Sequence, residues 1–226
     1  MTTIHGFSGP AILPAYVAST SAFVSISDAD RSPDLEYLAT IHHGIDAGEL
    51  PFVADPEDYL VSFGRIHPDK GTAQAIEIAR GVERPLVLCG PVQDARYFAE
   101  EVQPHLDGER VRYLGSVGEA DRAAVLGSAS CLLHPIAFAE PFGLSVVESM
   151  VCGTPVVAYA RGSMPELVED GVTGVLVHDI ASAIAGVERA VAVDRAVCRA
   201  AAIRRFSADR MVDDYVEVYE KVLHGR

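Results

Sequence analysis

The chain has 226 residues, enough for one complete domain with an appendage or for two small domains, and too few for two full α/β domains. Hydrophobic residues make up 49% and charged residues 22%, which allows a buried core and excludes a disordered or collagen-like protein. Lys and Arg number 18 against 32 Asp and Glu, and the net charge of −14 repels phosphate backbones and anionic lipid surfaces. Broad binding to nucleic acid or to membrane surfaces is therefore disfavoured. An anionic ligand would need a few placed cations and backbone amides.

The cysteines and the amino terminus indicate a reduced, cytoplasmic protein. The four cysteines are far apart without a C-x-x-C pair, and the histidines show no metal-ligand spacing, so we expect neither disulfides nor a metal site. The uncharged run from Gly6 to Ser27 is broken by Pro10 and Pro14 and has no basic stretch before it. This pattern predicts neither a signal peptide nor a membrane-spanning helix.

Residues 1–54 contain too few elements to bury a core of their own. Their pattern predicts a strand, a helix of small residues, a second strand and an extended segment, at Thr2–His5, Ala11–Ser19, Ala22–Ser27 and Ala39–His42. We interpret residues 1–54 as the remnant of an incomplete second α/β domain. The two prolines within Leu50–Pro56 indicate a linker to the next domain.

From Tyr59 onward, short β-branched or leucine-rich runs alternate with helical patterns. The predicted strands are Tyr59–Phe63, Pro85–Leu88, Val111–Leu114, Cys131–Leu133, Pro155–Tyr159 and Gly174–Val177. Such regular alternation predicts β-α-β units and a Rossmann-like, doubly wound parallel sheet over residues 55–205. Residues 206–226 predict a final helix that packs back toward residues 1–54, with an apolar stripe of Met211, Tyr215, Val218, Tyr219 and Leu223.

A first candidate ligand segment follows the first of these strands. Residues 64–71 read G-R-I-H-P-D-K-G and lie at the carboxyl edge of the predicted sheet, where open α/β sheets bind ligands. Gly64 lets the backbone turn tightly there, and Arg65 and Lys70 are two cations suited to a diphosphate. Taken alone, the segment also fits an ordinary solvated loop.

A second candidate segment, residues 140–150, reads E-P-F-G-L-S-V-V-E-S-M and enters a helix that begins near Gly143. Helical spacing predicts that Leu144 faces the core and that a stripe of small residues surrounds Glu148, namely Ser145, Ser149 and Cys152. Free amides at the helix start can bind an anion, and the Glu148 carboxylate can accept hydrogen bonds from a diol such as ribose. Alternatively, Glu140 complements the helix dipole and Glu148 is a surface residue.

The motifs occur in a specific order. A strand is followed by G-R-x-x-x-x-K-G, then by E-P-F-G-x-x-x-x-E, then by G-T-P-V-V-A at 153–158 and M-P-E-L-V-E-D-G-V-T-G-V-L-V at 164–177. This order resembles the donor-binding half of the family-4 retaining glycosyltransferases of GT-B fold, over essentially all of residues 58–224. The resemblance implies a glycosyltransferase with a UDP- or GDP-sugar donor, retention at the anomeric carbon and no obligatory metal.

The resemblance also implies residue roles. Arg65 and Lys70 would bind the diphosphate and Glu148 the ribose, while Glu140 and the amides of residues 142–144 would lie beside the donor sugar. The base would lie near Leu114-Gly115, and His5 at the sugar's primary hydroxyl. The implied catalytic residues are His5, Arg65, Lys70 and Glu140, and the donor-binding residues are Gly64, Arg65, Lys70, Gly115, Phe142, Gly143, Leu144 and Glu148.

The chain departs from the family pattern in three places. Gly162-Ser163-Met164 stands where the family often has Gly-Gly before its Pro-Glu, and His43 replaces the Asn of an Asn-Gly-Val-Asp segment. A complete member also begins with a strand and a glycine-rich loop, which the residues before His5 do not supply. We therefore expect a shortened enzyme or a start assigned too late. The acceptor, whether a sugar, a lipid-linked sugar or a small molecule, stays unknown.

Other classes remain as alternatives. A nucleotide-sugar-binding module without activity of its own, acting through a partner chain, fits the same motifs. The exposed remnant at residues 1–54 would allow self-association, because its edges lack partner strands. A nucleotide-sugar 2-epimerase fits less well, since its acid and histidine pattern is not apparent, and no G-x-G-x-x-G follows a predicted strand as a dehydrogenase would require.

Overall fold

The computed structural model describes residues 1–6 and 11–224, and within them the strands form two parallel sheets. The first sheet has the order β1-β2-β3, with β1 at Thr2–Ile4, β2 at Phe23–Ser25 and β3 at Tyr37–Thr40. The second has six strands: β4 Leu60–Phe63, β5 Leu86–Cys89, β6 Val111–Tyr113, β7 Cys131–His134, β8 Val156–Tyr159 and β9 Gly174–Val177. All six agree with the predicted strands to within one residue at each end.

The larger sheet confirms the predicted doubly wound, Rossmann-like fold. Its spatial order is β6-β5-β4-β7-β8-β9, and every pairing is parallel. The chain therefore reverses its direction of winding between β4 and β7. In open α/β sheets the ligand crevice lies outside the carboxyl ends of the strands at this switch point. The loops after β4 and β7 are the ones that carry the two candidate segments.

The helices follow the strands as the alternation predicts. Their bounds are α1 Leu13–Val17, α2 Thr72–Gly81, α3 Ala95–Tyr97, α4 Glu119–Ser128, α5 Leu144–Val151, α6 Met164–Leu167, α7 Ile180–Val191, α8 Arg195–Phe206 and α9 Ala208–Leu223. Short 3₁₀ turns occupy Pro68–Lys70 and Gln103–His105, and a π-helical turn occupies Phe98–Val102. Within the described residues, none of the helices is both long and apolar enough to cross a membrane.

The core lies on both faces of the larger sheet. Consecutive strand residues point to opposite faces, so Leu60 joins one apolar cluster and Val61 the other, and Leu86 and Val87 divide in the same way. Strands buried on both faces read as continuous apolar runs, which is why the sequence marks them clearly. The four cysteines are free and buried in the structure.

Two arginines of α8 hold the segment that joins the sheets. Residues 50–56 form neither helix nor strand. Arg195 donates from Nε to the carbonyl oxygen of Val53 at 2.8 Å, and Arg199 donates from Nη1 to that of Leu50 at 2.7 Å. The side chains of a distant helix therefore satisfy backbone groups of this segment.

The last helix, α9, packs on the small sheet with part of its predicted stripe. Val218 is buried against Val24 and Ile41, with Met211 and Tyr215 beside them. The stripe prediction is wrong at Tyr219 and Leu223, which are 51% and 82% exposed. Strands of three or four residues span roughly 10–13 Å, whereas a helix of 16 residues spans roughly 24 Å, so the sheet ends before the helix does.

Candidate active site

The loop after β4 is held against the loop after β7 by a glycine. Gly71 adopts a φ of +69°, and a Cβ there would lie 2.0 Å from the carbonyl oxygen of Pro135. Only glycine allows both this left-handed backbone and this close approach. The turn Pro68–Lys70 precedes it, so Lys70 is carried toward the loop that follows β7.

The start of α5 presents uncapped amides to the same crevice. Its N-cap residue is Gly143, with a φ of +101° and no capping side chain. Backbone N–H groups of a first helical turn have no partner within the helix, so they are available to an anion. Ser163 donates its hydroxyl to the carbonyl oxygen of Phe142 at 2.5 Å, and its amide donates to that of Glu140 at 2.9 Å. Ser163, where the chain departs from the family pattern, is therefore a buried residue that holds this loop in place.

The predicted faces of α5 need correction. Leu144 is 49% exposed, although the spacing predicts that it faces the core, and Ser149 and Cys152 are fully buried. The helix packs against the sheet, α4 and α8 at once, so only a narrow face stays accessible. That face consists of Leu144, Ser145 and Glu148.

One cavity of about 370 Å³ brings together most of the predicted site residues. Its lining includes His5, Gly64, Arg65, Lys70, Glu140, Phe142, Gly143 and Leu144. Glu148 lines a second cavity of about 410 Å³, with Arg122 and the segment 44–50. Of the predicted set, Gly115 lines neither of these two cavities. Phe142 is itself 3% exposed, so its backbone rather than its ring is what a ligand could contact.

Charged groups in the first cavity are arranged around Lys70. Its ammonium forms an ion pair with Glu140 and lies 4.9 Å from the centre of the Phe138 ring. His134 Nε2 is 3.8 Å from Glu140 Oε2, and burial, assisted by the charge of Lys70, lowers the pKa of His134 to about 3. The imidazole is therefore neutral at pH 7. Arg65, within the described part of the chain, has no ion-pair partner.

His134 is not part of either sequence motif, but its position at the carboxyl end of β7 could have identified it as a residue of the site. Strand ends at a switch point face the ligand crevice, and His134 is the last residue of its strand. Its imidazole is 5% exposed, so it lies beside Glu140 and is almost inaccessible to a ligand.

Glu148 is held by a residue that the sequence does not reveal. Arg122 of α4 donates from Nη1 to Glu148 Oε1 at 2.6 Å. Burial raises the pKa of the Glu148 carboxyl, and the charge and hydrogen bond of Arg122 oppose that rise. The residues are 26 positions apart on different helices, so no local pattern links them.

The amino-terminal residues form one wall of the first cavity. The loop after β2 is bound to α6, since the amides of Asp28 and Ala29 donate to the Glu166 carboxylate at 2.8 and 2.7 Å. The ring of His5 stacks on that of His43 with centroids 5.1 Å apart. Burial, followed by the neighbouring charges of His5 and His42, lowers the pKa of His43. His5 thus lines the same cavity as Arg65.

Among the residues that the structure describes, no three His, Cys, Asp or Glu side chains lie close enough to hold a metal ion together. The first cavity offers two cations, Arg65 and Lys70, together with the start of α5 and the Glu140 carboxylate, and the Glu148 carboxylate lines the second cavity. Such a site suits an anionic ligand that also carries hydroxyl groups.

The chain is similar in sequence and in fold to known glycosyltransferases. Residues 51–194 match the family model for "Glycosyl transferases group 1". The D-inositol 3-phosphate glycosyltransferase of Mycobacterium sp. (strain KMS) is 34% identical over 176 residues, which are 70% of this chain and 39% of the relative. The structure of AviGT4, a glycosyltransferase involved in avilamycin A biosynthesis, is similar with a TM-score of 0.78 and 28% identity, covering 90% of this chain and 64% of that one. Anabaena HepE shares the fold with a TM-score of 0.77 and 21% identity, covering 97% and 71%.

The parallel sheets and the crevice between β4 and β7 therefore define a GT-B glycosyltransferase fold. The chain belongs to the group 1 glycosyltransferases. It spans about two fifths of the curated relative named above, at 39% of that protein's length.

Proposed function

We propose that the chain binds a nucleotide sugar, with UDP or GDP as its nucleotide, and serves sugar transfer with retention as in family 4 of the GT-B enzymes. The observation that carries this proposal is the single cavity lined by His5, Arg65, Lys70, Glu140 and the start of α5. A nucleotide-sugar donor is further supported by HepE, which was crystallised with UDP-glucose.

Each charged group has a role in this proposal. Arg65 and Lys70 bind the diphosphate together with the amides at residues 142–144. As the bond between sugar and diphosphate loosens, these fixed cations and dipoles stabilise the growing negative charge, and no metal is needed for that. Glu140 and His5 contact the sugar. Glu148 binds the ribose.

The remaining assignments are also proposals. Gly115 follows β6, next to β5 at the edge of the sheet, and would lie near the base. Residues 55–205 would form the donor-binding domain and residues 1–54 part of the acceptor side. Residues 206–226, of which 225 and 226 lie outside the described residues, would contain the helix that returns to it. The acceptor would enter across the wall that carries His5. A cytoplasmic location stays a prediction of the sequence.

The test is isothermal titration calorimetry with UDP, GDP and uridine. We expect Arg65→Ala and Lys70→Ala each to weaken the diphosphate by roughly ten- to hundredfold and the free nucleoside much less, because each variant removes a charge-assisted phosphate contact. Arg96→Ala is the matched control, since that side chain is 84% exposed in an ion pair with Glu100. Wild-type protein that binds neither nucleotide, or an Arg65→Ala variant of unchanged affinity, would contradict the proposal.

A nucleotide-sugar-binding module without transfer activity is the second candidate. A binding module needs only the one wall of the cavity that the described part of the first sheet, three strands of three or four residues, provides. Transfer by a GT-B enzyme needs two walls that exclude water and bring the acceptor to the donor. Within the described residues β1 and β3 are the edge strands of this sheet, so self-association through residues 1–54 would supply more of this wall.

Turnover assays distinguish the two candidates. Sugar transfer should be compared for this chain and for a version extended by a complete amino-terminal domain, with the anomeric outcome read by NMR. Donor binding without turnover by this chain supports the binding module, whereas comparable turnover by both supports a complete enzyme.

A further inference from the structure

The ion pair between Arg122 and Glu148 lies in the wall of a cavity rather than on an open surface. Both residues line the cavity of about 410 Å³, as do Asp46 and Glu49 of the segment 44–50. The Glu148 side chain is 12% exposed and that of Arg122 is 33% exposed. The pair is therefore partly desolvated, and its charges interact more strongly than those of a surface pair.

The contact uses only one oxygen of the carboxylate. Arg122 Nη1 donates to Glu148 Oε1, and within the described residues no hydrogen bond reaches Oε2. A carboxylate has about four acceptor positions, so Glu148 keeps capacity for two hydroxyl donors. It lies one helical turn beyond Leu144 and Ser145, which line the cavity of the diphosphate cations. A ligand that spans both cavities would meet this free oxygen.

Helix stability does not account for an arginine at this position. Arg122 lies in the first turn of α4, where its amide donates to the carbonyl oxygen of Gly118 at 2.8 Å. The positive end of a helix dipole favours acids there and disfavours cations. The position is explained instead by what Arg122 contacts.

We propose that Arg122 is a positioning residue for the nucleotide: it holds Glu148 by one oxygen and leaves the other to accept hydrogen bonds from the ribose hydroxyls. This inference rests on the proposed function, which assigns Glu148 to the ribose. Arg122 itself need not touch the ligand. Its effect is to keep the carboxylate charged and turned in one direction.

This role gives nucleotide binding a particular pH dependence. Burial raises the pKa of Glu148 and Arg122 opposes the rise, so removal of Arg122 raises it further. As the pH falls, the variant then protonates Glu148 at a higher pH than the wild type does. A protonated carboxyl is a weaker acceptor, so the affinity of the variant for nucleotide declines earlier on acidification.

The other groups around Glu148 do not reproduce this difference. Cys152, one turn along α5, is neutral because burial raises the pKa of its thiol to about 11. Arg199 of α8 is bound to backbone carbonyl oxygens, including that of Leu50. Asp46 and Glu49 line the same cavity and are present in every variant compared, including Glu148→Gln, as is the terminal phosphate of UDP.

The experiment measures UDP affinity by calorimetry from pH 5.5 to 8.5 for the wild type, Arg122→Gln and Arg122→Lys, with folding checked by circular dichroism. We expect Arg122→Gln to bind within about threefold of the wild type at pH 8.5 and to fall at least about tenfold further behind it by pH 5.5. Arg122→Lys restores the cation, so its profile should move back toward that of the wild type. Glu148→Gln should bind weakly at every pH without this acid-dependent loss.

Three outcomes would overturn the inference, and they are distinguishable. Parallel pH profiles for wild type and Arg122→Gln would show that Arg122 does not control Glu148, while UDP binding and the proposed function stand. An equal loss at every pH would indicate direct contact between Arg122 and the nucleotide instead of positioning. Absence of UDP and GDP binding by the wild type would overturn the proposed function together with this inference.

Discussion

The buried imidazole of His134 makes the stability of this protein depend on pH in a way that can be calculated. The ordinary pKa of 6.5 is lowered to about 3 in the folded protein, because burial disfavours the charged form and Lys70 repels it. Below pH 6.5 the unfolded chain therefore binds a proton that the folded protein does not. The contribution of the neutral His134 to the free energy of unfolding is therefore present in full above pH 6.5 and is lost as the pH falls toward 3.

The size of this effect follows from the two pKa values. Each pH unit between them changes the free energy of unfolding by about 1.4 kcal/mol, so His134 alone costs about 2 kcal/mol between pH 8 and pH 5. Any folded pKa well below 5 gives the same value in that window. The loss is a large fraction of the 5–15 kcal/mol that typically stabilises a domain.

The assay is urea unfolding at pH 8 and pH 5 for the wild type, His134→Asn and His178→Asn. His134→Asn removes the titrating group, so its stability should fall by about 2 kcal/mol less between the two pH values than that of the wild type. His178 is exposed, and His178→Asn should keep the dependence of the wild type. The reasoning is refuted if His134→Asn and the wild type lose the same stability over this range, since His134 would then titrate equally in both states.

Substitutions at Gly143 and at Arg195, each with a control, test the loop that enters α5 and the segment that joins the sheets. Gly143→Ala should cost roughly 1–3 kcal/mol of stability, because the φ of +101° is strained for alanine and a Cβ would lie 2.8 Å from Met164 Cε. Gly108 has a φ of +78° and open space around it, so Gly108→Ala measures the cost of the backbone conformation alone. Gly143→Val should weaken binding of the nucleotide sugar more than binding of the nucleotide. Arg195→Ala should cost roughly 2–4 kcal/mol in urea unfolding, because Arg195 donates to the carbonyl oxygens of Val53, Ala129 and Gly127 and to the Thr154 hydroxyl. Arg189→Ala, in an exposed ion pair with Asp170, should cost less than about 1 kcal/mol, and an equal cost for both arginines would contradict the assigned role of Arg195.

The sequence by itself determined the strands of the larger sheet and the positions of the two candidate ligand segments. Strands buried on both faces must be apolar at every position, so runs such as Leu86–Cys89 are visible without any tertiary information. The alternation of strand and helix then predicts a parallel sheet, and the carboxyl edge of that sheet follows from chain direction alone. For this reason Arg65, Lys70 and Gly143 could be assigned to one crevice before the structure was known.

Tertiary structure decided which side chains in that crevice are accessible and which charges are paired. Leu144 is exposed and Ser149 is buried because α5 packs against the sheet, α4 and α8 at once, and those contacts together decide which face of the helix stays accessible. The pairing of Arg122 with Glu148 depends on the packing of α4 against α5 in the same way. Periodicity describes the environment of one element, whereas these contacts depend on how separate elements approach each other, and that approach is set by the packing of the whole core.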